Sequence, residues 1–77
     1  MSHIDLDARR LLCPMPVIRL QDQIKNLQTG DTVTVICTDP GVMNDIPAWS
    51  RINGHNVIDS HEEEYLYQLT IQVGATP

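Results

Sequence analysis

The sequence contains no phenylalanine, one tryptophan and two tyrosines, so any core it forms is aliphatic. Cysteine is also scarce. Cys13 and Cys37 are the only two, they form no Cys-x-x-Cys pair, and they are too few for a disulfide framework. A reducing cytoplasm is the expected compartment. Basic residues are few as well: five Lys and Arg stand against ten Asp and Glu, giving a formal charge of -5. Such a balance opposes attraction to phosphate backbones, and direct nucleic-acid binding is not expected. Long apolar runs are missing. The longest, Leu11 to Ile18, contains two prolines, and Met1 to Asp7 has no basic region leading into an apolar stretch. The chain is therefore expected neither to span a membrane nor to be secreted. Closely spaced metal-ligand pairs are absent too, so a site built from Cys13, Cys37 and His3, His55 or His61 is a distant alternative, and no metal or organic cofactor is expected.

What remains is the composition of an ordinary folded domain, 42% hydrophobic and 19% charged. Residues 1–77 are expected to form a single domain, ordered over about 4–73. A chain of this length buries only about 60 per cent of its unfolded surface, which leaves no room for a deep catalytic cleft.

The stretch Leu11-Leu12-Cys13-Pro14-Met15-Pro16-Val17-Ile18 places a thiol directly ahead of two prolines that open an amphipathic pattern. Proline pre-sets φ and has no N–H, which suits Pro16 to a first helical turn. Cys13 then precedes a helix N-terminus, where the dipole and unpaired N–H groups favour thiolate over thiol. The alternative is an inert small residue enclosed by Leu11, Leu12, Val17 and Ile18. Pro14 argues against it by disfavouring helical dihedrals at Cys13 and keeping that residue in the entering loop. Arg9 and Arg10, just upstream, are either a solvated pair or a positive field that lowers the thiol pKa further.

Hydropathy periods supply the elements. Ile4, Leu6 and Ala8 alternate with polar residues as an inward-facing strand. From Pro16, the residues Val17, Leu20, Ile24 and Leu27 recur at helical spacing, and Gly30 is a candidate for the left-handed turn that follows. Thr32 to Thr38 is a β-branched strand with Val33, Val35 and Cys37 on one face, where Cys37 reads as inert core. After Asp39-Pro40-Gly41, a second helix is predicted with Asn44 or Asp45 as N-cap, Pro47 in its first turn, Ile46, Trp49 and Ile52 on one face, and Gly54 as its stop. Segments 55–61 and 65–73 form an antiparallel hairpin around a solvated acidic turn, Glu62 to Glu64, with Tyr67, Leu69, Ile71 and Val73 facing inward. Asp39 and Asp45 are read as helix caps that could also orient the edge loops or contact a partner. Trp49 is a packing residue that a partner could also use.

This order, β-α-β-α-β-β, predicts a two-layer α/β sandwich with both helices on one face of a mixed four-stranded sheet. A right-handed crossover makes the first two strands parallel, so the Cys13 loop and the loop at Asp39 to Asp45 should meet along one edge. Leu6-Asp7-Ala8, Cys13-Pro14-Met15-Pro16, Thr38-Asp39-Pro40 and Asp45-Ile46-Pro47 together resemble the TusA/SirA-like sulfur carrier family over nearly the whole chain. Where family members commonly have a glycine upstream of the cysteine and a polar residue beside it, this chain has Arg10 and Leu12. The resemblance implies a sandwich similar to the C-terminal domain of translation initiation factor three, and a persulfide carried on Cys13. It implies as partners a donor protein, either a cysteine desulfurase or a rhodanese, and an acceptor relay protein in tRNA thiolation, molybdenum cofactor assembly or sulfur oxidation. A monomer that docks onto enzymes fits an exposed nucleophile without a cleft. The competing expectation is a non-enzymatic adaptor that binds a protein or RNA.

Overall fold

The computed structural model describes residues 3–12 and 14–74. Cys13 itself lies outside the described residues. The elements run β1 (His3–Ala8), α1 (Met15–Ile24), β2 (Thr32–Cys37), α2 (Val42–Ile52), β3 (Asn56–Glu63) and β4 (Leu66–Gln72). The strands form one sheet in the order β1-β2-β4-β3. β1 and β2 are parallel, whereas β4 is antiparallel to both β2 and β3. This is the two-layer mixed sandwich that the periodicity predicts. Among the described residues no helix is long and apolar enough to cross a membrane.

Alternation decides which side of the sheet the helices cover. Ala8, Val33, Val35, Cys37, Leu69 and Ile71 point one way and are buried beneath Leu20 of α1 and Val42 and Ile46 of α2. Each such aliphatic side chain contributes roughly 1.5–3 kcal/mol by leaving water. The opposite face is largely polar. There Thr34 and Thr70, cross-strand partners on β2 and β4, share a hydroxyl hydrogen bond of 3.0 Å.

Four expectations need correction. α1 ends at Ile24, not at Leu27, because the chain tightens: Asn26 N–H bonds to Gln23 O and Leu27 N–H to Ile24 O, one residue short of α spacing. Leu27 still packs on the core from that turn, and Gly30 takes its left-handed φ of 98° further along. α2 begins before Asn44 and Asp45, with Gly41 as N-cap, which puts Pro47 inside the helix and not in its first turn. Ile52 is 81% exposed and does not share the buried face of Ile46, since Asn53 and Gly54 turn the chain away there; Ser50 is the residue buried in that last stretch. Finally, Glu62 and Glu63 belong to β3, and the turn is Glu64-Tyr65, both at positive φ as a two-residue hairpin requires.

Candidate functional site

The sheet register assembles one end of the molecule. Ala8 at the end of β1 lies level with Cys37 at the end of β2, Tyr67 near the start of β4 and Glu62 near the end of β3. The loops leaving β1 and β2 therefore depart side by side. They are also tied: Arg10 N–H donates to Thr38 Oγ1 at 2.9 Å. Arg10 can do this because the chain turns at Ala8 to Leu11, closed by Leu11 N–H to Ala8 O, with Arg10 at φ 69°. That left-handed conformation costs a residue with a Cβ about 1–2 kcal/mol. Asp7, Arg9, Arg10 and Thr38 line an open cavity of about 350 Å³ at this end. Thr38 was not recognised as a site residue from the sequence, because its role depends on a partner 28 positions away.

The two arginines differ. Arg9 grips Asp7 with both Nε and Nη2, each at 2.9 Å, and donates its backbone N–H to the same carboxylate at 3.1 Å. These bonds, with the charge of Arg9 behind them, hold the Asp7 carboxyl at about 2. Arg9 is thus largely offset by its partner. Arg10 forms no ion pair among the described residues, so the positive field upstream of Cys13 rests mainly on Arg10.

Pro14 is the N-cap of α1 and Pro16 falls in its first turn, as the pair of prolines predicts. The first turn is short of donors: Pro16 has none, and Met15 N–H turns back to Leu12 O at 2.8 Å. Val17 is left as the remaining backbone donor of the first three helical positions. The positive end of the α1 dipole therefore faces the loop with few free backbone donors beside it. Of the apolar side chains beside the motif, Leu11 and Val17 are half-buried against the core, whereas the others stand in solvent. Leu12 is 74% exposed, Ile18 43% and Met15 38%, an apolar patch flanking the cysteine in sequence. Leu12 and Ile18 are therefore not the enclosure that an inert residue would need.

At the start of α2, Asp39 Oδ1 accepts the N–H of Gly41 at 3.0 Å and ties the chain into the helix, whose N-cap is Gly41. Asp45 lies in the first turn, where a carboxylate complements the dipole. Both acids border Gly41: a Cβ there would stand 3.4 Å from Asp39 Oδ1 and 3.8 Å from Asp45 Oδ2. Trp49 is not brought to this end. It sits half-buried in the second half of α2, its ring 5.3 Å from that of His55. Cys37 is fully buried, and burial, reinforced by the charges of Asp39 and Asp7, pushes its thiol up to about 11. The histidines are dispersed. His3 pairs with Thr32 and Asp5, His61 with Glu63, and His55 with Gly74, and no metal-binding group of three ligands occurs among the described residues.

A family model described as sulfurtransferase TusA matches residues 4–73, from the first strand to the last. The chain belongs to the TusA family. Its similarity to individual members is spread along the same length. The sulfur carrier protein TusA of Pseudomonas putida is 42% identical over 66 residues, covering 83% of this chain and 82% of its own. YrkI of Bacillus subtilis is 38% identical over 69 residues, covering 90% and 92%. Among solved structures, the SirA-like protein of Desulfitobacterium hafniense superimposes with a TM-score of 0.81 at 26% identity, covering 92% of this chain and 97% of that one. The mixed sheet with two helices on one face is thus the TusA-family fold, and Cys13-Pro14-Met15-Pro16 lies inside the matched region.

Proposed function

We propose that this chain is a sulfur carrier whose Cys13 thiolate attacks the outer sulfur of a donor persulfide. A new S–S bond forms on Cys13, the bond within the donor persulfide breaks, and the donor thiolate leaves. In the second half an acceptor thiolate attacks the terminal sulfur of Cys13-S-SH and regenerates the Cys13 thiolate. The exchange is balanced without metal, cofactor or external oxidant. The single observation that carries this reading is the TusA-family match across residues 4–73, which includes the Cys-Pro-x-Pro segment.

Several features support it. Arg10 and the dipole of α1 favour the anion, the exposed Leu12, Met15 and Ile18 offer an apolar rim for a partner's surface, and Cys37 is too deeply buried to compete. Pro14, Met15 and Pro16 set the helix start, while Arg9, Asp39 and Asp45 orient the adjoining loops. The donor is a cysteine desulfurase or a rhodanese and the recipient another relay protein. Residues 1–77 act as one carrier domain in the cytoplasm, where thiols stay reduced.

Intact-protein mass decides the matter. After incubation with cysteine and a desulfurase, or thiosulfate and a rhodanese, wild type should gain one sulfur atom and Cys13→Ser none. An unmodified wild type, or sulfur found on Cys37, would overturn the assignment. An unmodified protein in which Cys13 remains open to alkylation would favour an adaptor role.

A further inference from the structure

A second cavity, of about 360 Å³, opens between α2 and the start of β3 and is lined by Pro47, Ser50, Arg51, His55, Asn56 and Val57. It is not part of the sulfur site. Asn56 is level with Gln72, and through it with Thr32 and His3, at the opposite end of the sheet from Ala8 and Cys37.

Donors predominate among the polar side chains around this cavity, with Asn56 able to turn its amide NH2 inward. Arg51 is exposed and forms no ion pair among the described residues. His55 Nδ1 accepts the N–H of Gly74 at 2.9 Å, so in the neutral ring the proton resides on Nε2, which is a donor. Ser50 is 1% exposed, and its Oγ is buried with no hydrogen-bond partner among the described residues. A buried hydroxyl left unpaired is unfavourable, and rotation about its Cα–Cβ bond is the movement that would offer it to a ligand. No carboxylate lines the cavity among the described residues, although the chain as a whole carries -5. The negative end of α2 is partly offset: of its last carbonyls, Ser50 O accepts from His55 N–H, Arg51 O from Gly54 N–H, and Trp49 O from both the N–H and Nδ2 of Asn53.

We propose that this cavity is a binding site for a small oxyanion, with Arg51, His55 and Ser50 as donors to its head. Pro47 and Val57 supply apolar walls, and the volume falls in the range of small-molecule pockets, so a phosphate or sulfate ester with a short apolar body fits the lining. The inference is independent of sulfur transfer by Cys13.

Calorimetric titration with phenyl phosphate and with inorganic phosphate, each against sodium chloride at equal ionic strength, tests it on the full chain. Saturable binding is expected for at least one anion. Tighter binding of the ester would assign the site to an esterified ligand, and equal affinity to the free anion; both support the site. Amide shifts in nuclear magnetic resonance should move within 48–57 and at Gly74, and Cys13→Ser should bind as wild type does. Arg51→Gln should weaken binding by about tenfold or more, the scale of one lost charge-assisted hydrogen bond. Ser50→Ala should weaken binding while raising Tm by several degrees, since it removes an unpaired buried hydroxyl. Absence of saturation beyond the chloride control, shifts confined to Arg9, Arg10 and the start of α1, or undiminished affinity in Arg51→Gln would overturn the proposal.

Discussion

Arg10 carries two opposed demands at one position. Its φ of 69° belongs to glycine by steric preference, yet its guanidinium is a cation that forms no ion pair among the described residues, three positions upstream of Cys13. Arg10→Gly should therefore stabilise the fold and weaken the thiolate together. Relief of the left-handed strain, less the entropy that glycine gains when unfolded, amounts to about 0.5–1 kcal/mol, readable as a higher Tm. The pH-rate profile of Cys13 alkylation by iodoacetamide should shift to higher pH in the same variant. An unchanged profile would mean that the helix dipole alone sets the thiol. Cys37 obeys different physics. With its thiol at about 11, only about one molecule in a thousand is ionised there at pH 8, so native protein should react with one equivalent of maleimide and unfolded protein with two. The same shift has a sign in stability. Between the unfolded value of 9.0 and about 11, the unfolded chain loses its proton first, so folding stability should fall as pH rises through that window. Denaturant unfolding of wild type and Cys37→Ala at pH 8 and pH 10.5 would separate this loss from general alkaline effects.

At the scale of elements, α2 is the place where local rules and structure part. Asn44, Asp45 and Pro47 form a persuasive helix start, because each residue type favours an N-terminus. The helix nevertheless begins a turn earlier, since Asp39 reaches Gly41 N–H and Val42 must pack into the core. Pro47 is then left without an N–H to give the carbonyl of Met43, and Pro47→Ala should stabilise the helix by about 1–2 kcal/mol in chemical denaturation. A destabilised variant would show that the ring of Pro47 contributes more by packing than it takes away from the helix. β1, β2 and β4, in contrast, were legible to within a residue at either end, because their alternation of period two sets which side chains face the helices; Tyr65, read as the first residue of the last strand, belongs to the turn. β3 was less so. Its residues are mostly exposed on both faces, so hydropathy could not place its end, and Glu62 and Glu63 read as turn. The start of α1 was equally visible, because two closely spaced prolines after a loop cysteine mark a helix start. The Arg10 to Thr38 bond and the cavity beside α2 join residues that only the folded sheet brings together, and no local pattern announces either.

As a whole the molecule guards its open sheet margins. β1, at one margin, carries Asp5 and Asp7, and β3, at the other, carries Asp59, Glu62 and Glu63 together with an irregular register between Val57 and Asp59. Charges and bulges of this kind discourage strand pairing between copies. Sedimentation should therefore find one monomeric species, and the double substitution Glu62→Val with Glu63→Val should shift the distribution toward dimers or aggregates. A wild type that is already dimeric would show that association uses another surface. The level register at the other end of the sheet has a further effect. Cys37 lies opposite Ala8, and Cys13 is only five residues beyond Ala8, a reach of at most about 18 Å. Two thiols on so short a leash could trade a sulfane atom or close on each other. Burial of Cys37 insulates it from its neighbour, so under the proposed carrier role the cargo has a single berth and cannot be short-circuited within its own vessel.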